Sequence, residues 1–141
     1  MFPEQEQYAI EINSNAVNEL KKNIDSKNIF HSSILDFEVP HKKWDLVLIK
    51  GVLIHINPDE LTQVYKKLFA ACSKYLLLAE YYNPIPVAIP YRGNNEKLFK
   101  RDFAGEIMDR YPEMKLLDYG FCYKRDANFP QDDFTWFLLQ K

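Results

Sequence analysis

Glycine is scarce in this sequence of 141 residues, and its four copies, Gly51, Gly93, Gly105 and Gly120, stand far apart. A P-loop and the glycine-rich turn of a dinucleotide-binding fold each need several glycines in one short loop. The sequence therefore contains neither motif. It also lacks the G-x-S-x-G elbow that carries the nucleophile of many serine hydrolases, so nothing in it supports that chemistry.

Cysteine and histidine are also few, and neither is spaced as a metal site. Cys72 and Cys122 form no C-x-x-C pair, and His31, His41 and His55 lack ligand spacing. We expect both cysteines to be reduced core residues of a cytoplasmic protein. The net charge of −2 disfavours a nucleic-acid partner, which needs a cationic face. No signal peptide and no apolar run long enough for a membrane span is present, so no membrane contact is expected.

Apolar runs and helical periodicity alternate along the chain. Continuous apolar stretches predict strands at 8–12, 29–34, 44–51, 75–82, 115–124 and 133–141. Helical spacing predicts helices at about 15–23, 57–74 and 101–111. Asn13 or Ser14 can cap the first helix, while Asn57, Pro58 and Glu60 form a capping-box start for the second. The stretch from 83 to about 100, rich in Pro, Tyr and Asn, is predicted to be a loop.

The resulting order is β-α-β-β-α-β-α-β-β. Strands that alternate with helices indicate an α/β fold with a mostly parallel sheet and right-handed crossovers. The two final strands are joined by a short connection, which predicts an antiparallel C-terminal edge strand. At this length we expect one domain, spanning 1–141.

Longer motifs carry a family resemblance. The β-β ending and the stretch "WDLVLIKGVLIHINPDEL" resemble class I S-adenosylmethionine (SAM)-dependent methyltransferases, which have a Rossmann-like fold. The motifs "YYNPIPVAIPYRG", "KLFKRDFAGE" and "NFPQDDFTWF" are similar to the methylases associated with pseudaminic acid biosynthesis. The resemblance runs from Tyr8 onward. It implies a truncated methyltransferase fold without the first βα unit, whose glycine-rich turn approaches the amino-acid end of SAM.

The resemblance implies a set of cofactor contacts. Glu11, at the end of the first strand, would accept the ribose hydroxyls of SAM, and Ile12 would press on adenine; a strand-end acid in solvent is the alternative. Two residues near the second strand's end would touch adenine, Ser33 by its side chain and Ile34 by its backbone. Asp36 is a possible substitute for Ser33, and a plain strand end leading into a turn is the alternative.

The third strand's end is also implicated: the backbone of Lys50, Gly51 and Val52 would pass the methionine end of SAM.

Catalytic and substrate contacts are expected beyond these strands. His55 or Tyr81 would act as a base, although a lone histidine in an apolar run is more often structural. Tyr82, Arg92 and Arg101 belong to the proline-stiffened loop, which we interpret as a lid for an anionic sugar. The alternative is a solvated loop with ordinary surface charge.

Two hypotheses for the whole chain follow. In the first it is a methyltransferase acting on the oxygen or nitrogen of an anionic sugar, with a cofactor site that another segment or chain completes. In the second it is a non-catalytic scaffold or self-assembling module. In the full fold the missing strand lies between the strands at 8–12 and 44–51, so unpaired strand edges and uncovered apolar surface predict a homodimer; the alternative is that the two strands pair directly and give a shorter sheet. Its interface is expected near the N-terminal strand and the helix at 14–24, and SAM affinity of the monomer should be weak.

Overall fold

A computed structural model describes residues 5–40, 43–91 and 93–141, with only the backbone of 94–97. Contacts divide the chain into two compact units, Met1–Glu38 and Val39–Lys141. Whether the two units form one domain depends on how they are arranged, so the expectation of a single domain stays a prediction.

The first unit is a small βαβ element. Strand β1 (Ala9–Glu11), helix α1 (Ser14–Leu20) and strand β2 (Ile29–His31) follow one another, with a 3-10 turn (Ser26–Asn28) before β2. The two strands pair in parallel, with Glu11 opposite His31. The Asn13 side chain accepts the N–H groups of Asn15 and Ala16, so the predicted cap is confirmed.

Two predicted elements of this unit are too long. The helix ends at Leu20 instead of 23, because the N–H groups of Lys22 and Asn23 bond carbonyls only three residues back. Strand β2 ends at His31 instead of 34, because a turn begins at Ser33. The Ser33 hydroxyl oxygen accepts the N–H of Leu35, and its carbonyl accepts the N–H of Phe37.

The second unit contains a mixed sheet of four strands. Their order is β3-β4-β8-β7, built from β3 (Trp44–Lys50), β4 (Cys72–Glu80), β8 (Thr135–Gln140) and β7 (Lys115–Phe121). Strands β3 and β4 are parallel, and β8 is antiparallel to both of its neighbours. The C-terminal strand is therefore antiparallel as predicted, but it is not an edge strand. It lies between β4 and β7, so the sheet of this unit is mixed: β3, β4 and β7 run in one direction and β8 runs opposite to them.

Two helices supply much of the core. Helix α2 (Leu61–Ala71) follows a 3-10 turn (Pro58–Glu60), whose cap is the predicted Asn57. Helix α3 (Phe103–Arg110) is capped by Asp102. Helix α2 ends before Cys72, where the backbone becomes extended and pairs with Trp44, so β4 begins three residues earlier than predicted. The least exposed core side chains include Leu53, Val64, Leu76, Leu78, Ile107, Met114 and Leu139.

The stretch predicted as a loop forms a β-hairpin instead. Strands β5 (Val87–Tyr91) and β6 (Asn94–Lys100) are antiparallel. Gly93 has φ of +80°, a conformation that glycine adopts without a steric penalty, in the tight connection. Pro90, which has no N–H to donate, sits where the register shifts. The prolines at 84, 86 and 90 obscured this strand pattern.

Sheet edges remain within both units. Among the strands of the described ranges, β1 pairs only with β2, and β3 pairs only with β4. None of the described helices is long and apolar enough to cross a membrane.

Candidate functional site

One candidate edge lies at the carboxyl ends of β1 and β2. Glu11 is half-buried, and its Oε1 accepts the N–H of Asn13 at 2.7 Å. The side chain of Ile12 is exposed, and its carbonyl oxygen lies 3.1 Å from His31 Nε2. The N–H of Ser32 donates to the carbonyl oxygen of Glu11 at 3.1 Å. The structure thus brings Glu11 and Ile12 together with the turn that follows β2.

Ser33 and Ile34 lie in that turn, both half-buried. Ser33 Oγ accepts the N–H of Leu35 at 3.1 Å, so this oxygen stabilises the turn. Asp36 is exposed one turn further along. The adenine contacts expected of these residues stay predictions.

A second candidate edge lies at the carboxyl end of β3, in the other unit. Gly51 has φ of +62°, and its N–H donates to the carbonyl oxygen of Ala79 at 2.9 Å. Lys50 directs its ammonium to Gln131 at 2.8 Å, and this ammonium lies 5.3 Å from the centre of the Phe134 ring. Val52 follows and is partly exposed. Lys50, Gly51 and Val52 therefore form a rim at the end of β3, and their contact with the methionine end of SAM stays a prediction.

An aromatic platform stands beside this rim. The ring of Tyr81 stacks on Phe134 at 5.0 Å, and the Lys100 ammonium lies 5.1 Å from the Tyr81 ring centre. Burial raises the pKa of Tyr81, and the carboxylates of Asp132 and Asp133 raise it further. At neutral pH this phenol is thus a hydrogen-bond donor, and it is poorly suited to accept a proton. Phe134 belongs to the motif "NFPQDDFTWF", whose contribution to the site the sequence reasoning missed.

His55 ends the 3-10 turn Leu53–His55 that follows the rim. Its side chain is exposed, and its ring lies 5.5 Å from that of Tyr91 in the hairpin. An exposed imidazole is accessible to solvent and to a bound substrate. His55 therefore remains a candidate base.

Glu80 is the functional candidate that sequence reasoning missed. It ends β4, is only 4% exposed, and is one of two buried polar residues among those described. Its carboxylate accepts the N–H groups of Val52, Leu53 and Ile54 at 3.0, 3.1 and 3.4 Å. Burial raises its pKa, while these three N–H groups and nearby His55 oppose the rise. An acid that ends the apolar run "YLLLAE" was the available signal.

The expected lid arginines differ in their placement. Arg92 lies outside the described residues. Arg101 Nε donates to Glu106 Oε1 at 2.7 Å, and Glu106 Oε2 accepts the Tyr65 hydroxyl at 2.7 Å. Tyr82 is partly exposed and its ring lies 5.8 Å from that of Phe137. Arg101 thus anchors helix α3 through Glu106, and its contact with an anionic ligand stays a prediction.

An open groove of about 550 Å³ runs along this ion pair. Its walls include Pro58 and Thr62 on one side and Asp109 and Arg110 on the other, with Arg110 donating to the Thr62 hydroxyl at 3.2 Å. Opposite charges are mixed along it, so the groove has no single-sign field. Within the described residues, no cluster of three or more potential metal ligands occurs.

Comparisons with known proteins are informative at the level of structure. No protein-family model matches the sequence, and no curated protein matches it significantly. Among solved structures, a SAM-dependent methyltransferase of the DUF858 family from Leishmania major superposes with a TM-score of 0.64 at 14% identity, over 93% of this chain and 52% of that one. A Burkholderia thailandensis 1,6-didemethyltoxoflavin-N1-methyltransferase, solved with S-adenosylhomocysteine, gives a TM-score of 0.75 at 10% identity, over 97% and 61%.

A third similar structure is the magnesium protoporphyrin IX methyltransferase of Synechocystis PCC 6803 with bound SAM. Its TM-score is 0.63 at 14% identity, over 95% of this chain and 58% of that one. This chain therefore spans between half and two thirds of the length of these three proteins. The TM-scores and the coverage of nearly all of this chain establish the fold: it is the α/β fold of class I SAM-dependent methyltransferases.

Proposed function

We propose that this chain is a SAM-dependent methyltransferase-like protein that transfers a methyl group to an oxygen or nitrogen of an anionic sugar when its cofactor site is completed. The observation that carries the proposal is the fold, because similar structures hold SAM or S-adenosylhomocysteine. The placement of Glu11 at the carboxyl end of β1 supports it, since ligands of open α/β sheets gather at such ends. The sugar class rests on the resemblance of the loop motifs to pseudaminic acid-associated methylases.

The described residues fit one part of the cofactor better than another. A ribose diol is a pair of donors, and the Glu11 carboxylate is an acceptor whose orientation the Asn13 N–H fixes. The methionine carboxylate needs donors instead. The N–H groups of Gly51, Val52, Leu53 and Ile54 already bond to Ala79 or Glu80, so this rim cannot donate to that carboxylate. Additional donors from another segment or chain would complete the site.

The chemistry needs little from the protein beyond placement. Bound SAM supplies a methyl group already activated by the sulfonium. His55 would accept the proton of the sugar hydroxyl or amine when the methyl group passes to that oxygen or nitrogen, and S-adenosylhomocysteine would leave as the carbon–sulfur bond breaks. Tyr81, which stays protonated, would donate a hydrogen bond to the sugar. Positioning alone can lower such a barrier by roughly 7–11 kcal/mol.

A methyl-transfer assay tests this function. The chain is incubated with SAM and either carboxylate-bearing nine-carbon sugars or neutral hexoses, and the products are analysed by mass spectrometry. Methylation of the acidic sugars alone, lost in Glu11→Ala, is the expected result. Methylation of neutral sugars with equal efficiency would contradict the substrate class.

A second candidate function, self-assembly, is favoured by apolar side chains on exposed strands. Leu46 and Leu48 on β3 are 43% and 59% exposed, on a strand paired along one edge among those described. In the first unit, Ile10 and Ile12 are also exposed. Large exposed apolar patches favour association, and a symmetric homodimer is the commonest outcome.

We place the homodimer interface near β1 and α1. Sedimentation velocity at micromolar protein should show a dimer that Ile10→Lys dissociates. Leu48→Lys serves as a comparison on β3. A well-folded monomer for the unsubstituted chain would contradict the dimer.

A further inference from the structure

Three consecutive N–H groups converge on one buried carboxylate at the rim. Glu80 Oε1 accepts from Val52 at 3.0 Å and from Leu53 at 3.1 Å, and Oε2 accepts from Ile54 at 3.4 Å. The N–H groups at the start of a helical turn have no acceptor within the turn itself. Glu80 supplies that acceptor from the neighbouring strand, 26 to 28 residues away in sequence.

The Glu80 carboxylate has few alternative hydrogen-bond partners, because it is buried. An acid with 4% exposure loses most of its hydration, and only charge-assisted hydrogen bonds compensate for that loss. The basic side chains near it are His55, which ends the turn, and Arg101, which lines the same small cavity. Arg101 Nε donates to Glu106, so the three backbone N–H groups are the principal partners of Glu80.

A second hydrogen bond joins the end of β4 to the segment that follows β3. The Gly51 N–H bonds the carbonyl oxygen of Ala79, the residue before Glu80. Gly51 also has φ of +62°, which turns the backbone sharply out of β3. Two adjacent residues of β4 therefore hold four consecutive N–H groups, and together they define the path of the rim.

We infer that Glu80 is a positioning residue for the cofactor site: it fixes the path of the backbone from Gly51 to Ile54, past which the methionine end of SAM would lie. This inference rests on the proposed function, because the rim matters to catalysis only if SAM binds there. Glu80 does not touch the ligand in this assignment. It acts through the backbone of residues 51–54 and through the position of His55 immediately after them.

Two substitutions at Glu80 and one control separate this role from simple stabilisation. Glu80→Gln retains one carbonyl oxygen, which can accept from Val52 and Leu53, but it places an NH₂ group toward Ile54. Glu80→Leu removes all three acceptors. Leu76→Ala is the control, because Leu76 is a fully buried residue of the same strand and makes a cavity without removing an acceptor from the rim.

Amide hydrogen exchange measured by NMR at neutral pH is the first readout. Glu80→Leu should accelerate exchange at Val52, Leu53 and Ile54 at least tenfold more than at other β4-contacting amides. Glu80→Gln should show this selective acceleration at Ile54 alone, and Leu76→Ala should show none. Uniform acceleration in both Glu80 variants, matching the control, would overturn the inference, and the glutamine variant keeps the test valid if the leucine variant does not fold.

Affinity for S-adenosylhomocysteine is the second readout. It should fall at least tenfold in Glu80→Leu, recover partly in Glu80→Gln, and stay unchanged in Leu76→Ala. Unchanged affinity in Glu80→Leu, despite faster exchange, would overturn the positioning role. If the unsubstituted chain binds no ligand at millimolar concentration, the proposed function fails and the positioning role fails with it, while the exchange pattern still shows whether Glu80 holds the rim.

Discussion

Replacing Arg101 by alanine is expected to destabilise the second unit substantially. The Arg101–Glu106 contact is 2.7 Å long, and the two side chains are only 22% and 29% exposed. A hydrogen bond to a charged group contributes about 1.5–3 kcal/mol, and partial burial places this pair within that range. The substitution also leaves Glu106 with the Tyr65 hydroxyl and without its countercharge. We expect a loss of about 2 kcal/mol in the free energy of unfolding.

Thermal unfolding followed by circular dichroism measures this effect. For a chain of this size about 2 kcal/mol corresponds to a fall in melting temperature of roughly 8 °C. Lys124→Ala is the matched control, because the Lys124–Asp133 pair is 3.6 Å long and its side chains are 65% and 38% exposed. Such a pair contributes about 0.2–1 kcal/mol. Equal melting temperatures for the two variants would refute the assignment of Arg101 as a structural anchor.

Two further predictions concern the rim. Gly51→Ala should lower the free energy of unfolding by about 1–2 kcal/mol, measured by urea denaturation, because alanine is strained at φ of +62°; the nearest side-chain atom would be 3.8 Å from the new Cβ, so steric overlap adds nothing. Unchanged stability would contradict the left-handed conformation. For Glu80, a folded-state pKa above its ordinary value of 4.5 means that the folded state binds the proton more tightly. The stability of the unsubstituted chain relative to Glu80→Gln should therefore be greatest below pH 4.5 and should fall as pH rises through the folded-state pKa of Glu80. A rise in this relative stability over the same pH range would contradict the raised pKa.

Local patterns in the sequence identified many elements, because the forces behind them act within a few residues. The continuous apolar run of β3 and the caps Asn13 and Asn57 were predicted and are present. The strand order inside the sheet could not be predicted in the same way. Placing β8 between β4 and β7 depends on pairing between distant segments, and a short connection constrains only which strands are neighbours.

The sequence indicated where the candidate site residues lie along the chain, but not which distant residues they contact. Residues at strand ends, such as Glu11 and Gly51, follow from knowing where each strand stops. Glu80 and the ion pair of Arg101 were missed because both depend on tertiary contacts. The Glu80 carboxylate meets N–H groups at least 26 residues away, and Arg101 is partly buried by residues outside its own loop. An ionisable residue that ends an apolar strand is the one local sign that such a contact exists.

Isothermal titration calorimetry with S-adenosylhomocysteine tests the central claim most directly. The account predicts weak but measurable binding by the unsubstituted chain. The rim donates to no ligand carboxylate, and the absence of about three hydrogen bonds of about 1 kcal/mol each weakens affinity by roughly a hundredfold. Glu11→Ala should weaken binding by about a further tenfold or more, since a charged acceptor is lost. No heat at millimolar ligand, or equal affinity in Glu11→Ala, would contradict a methyltransferase cofactor site at the end of β1.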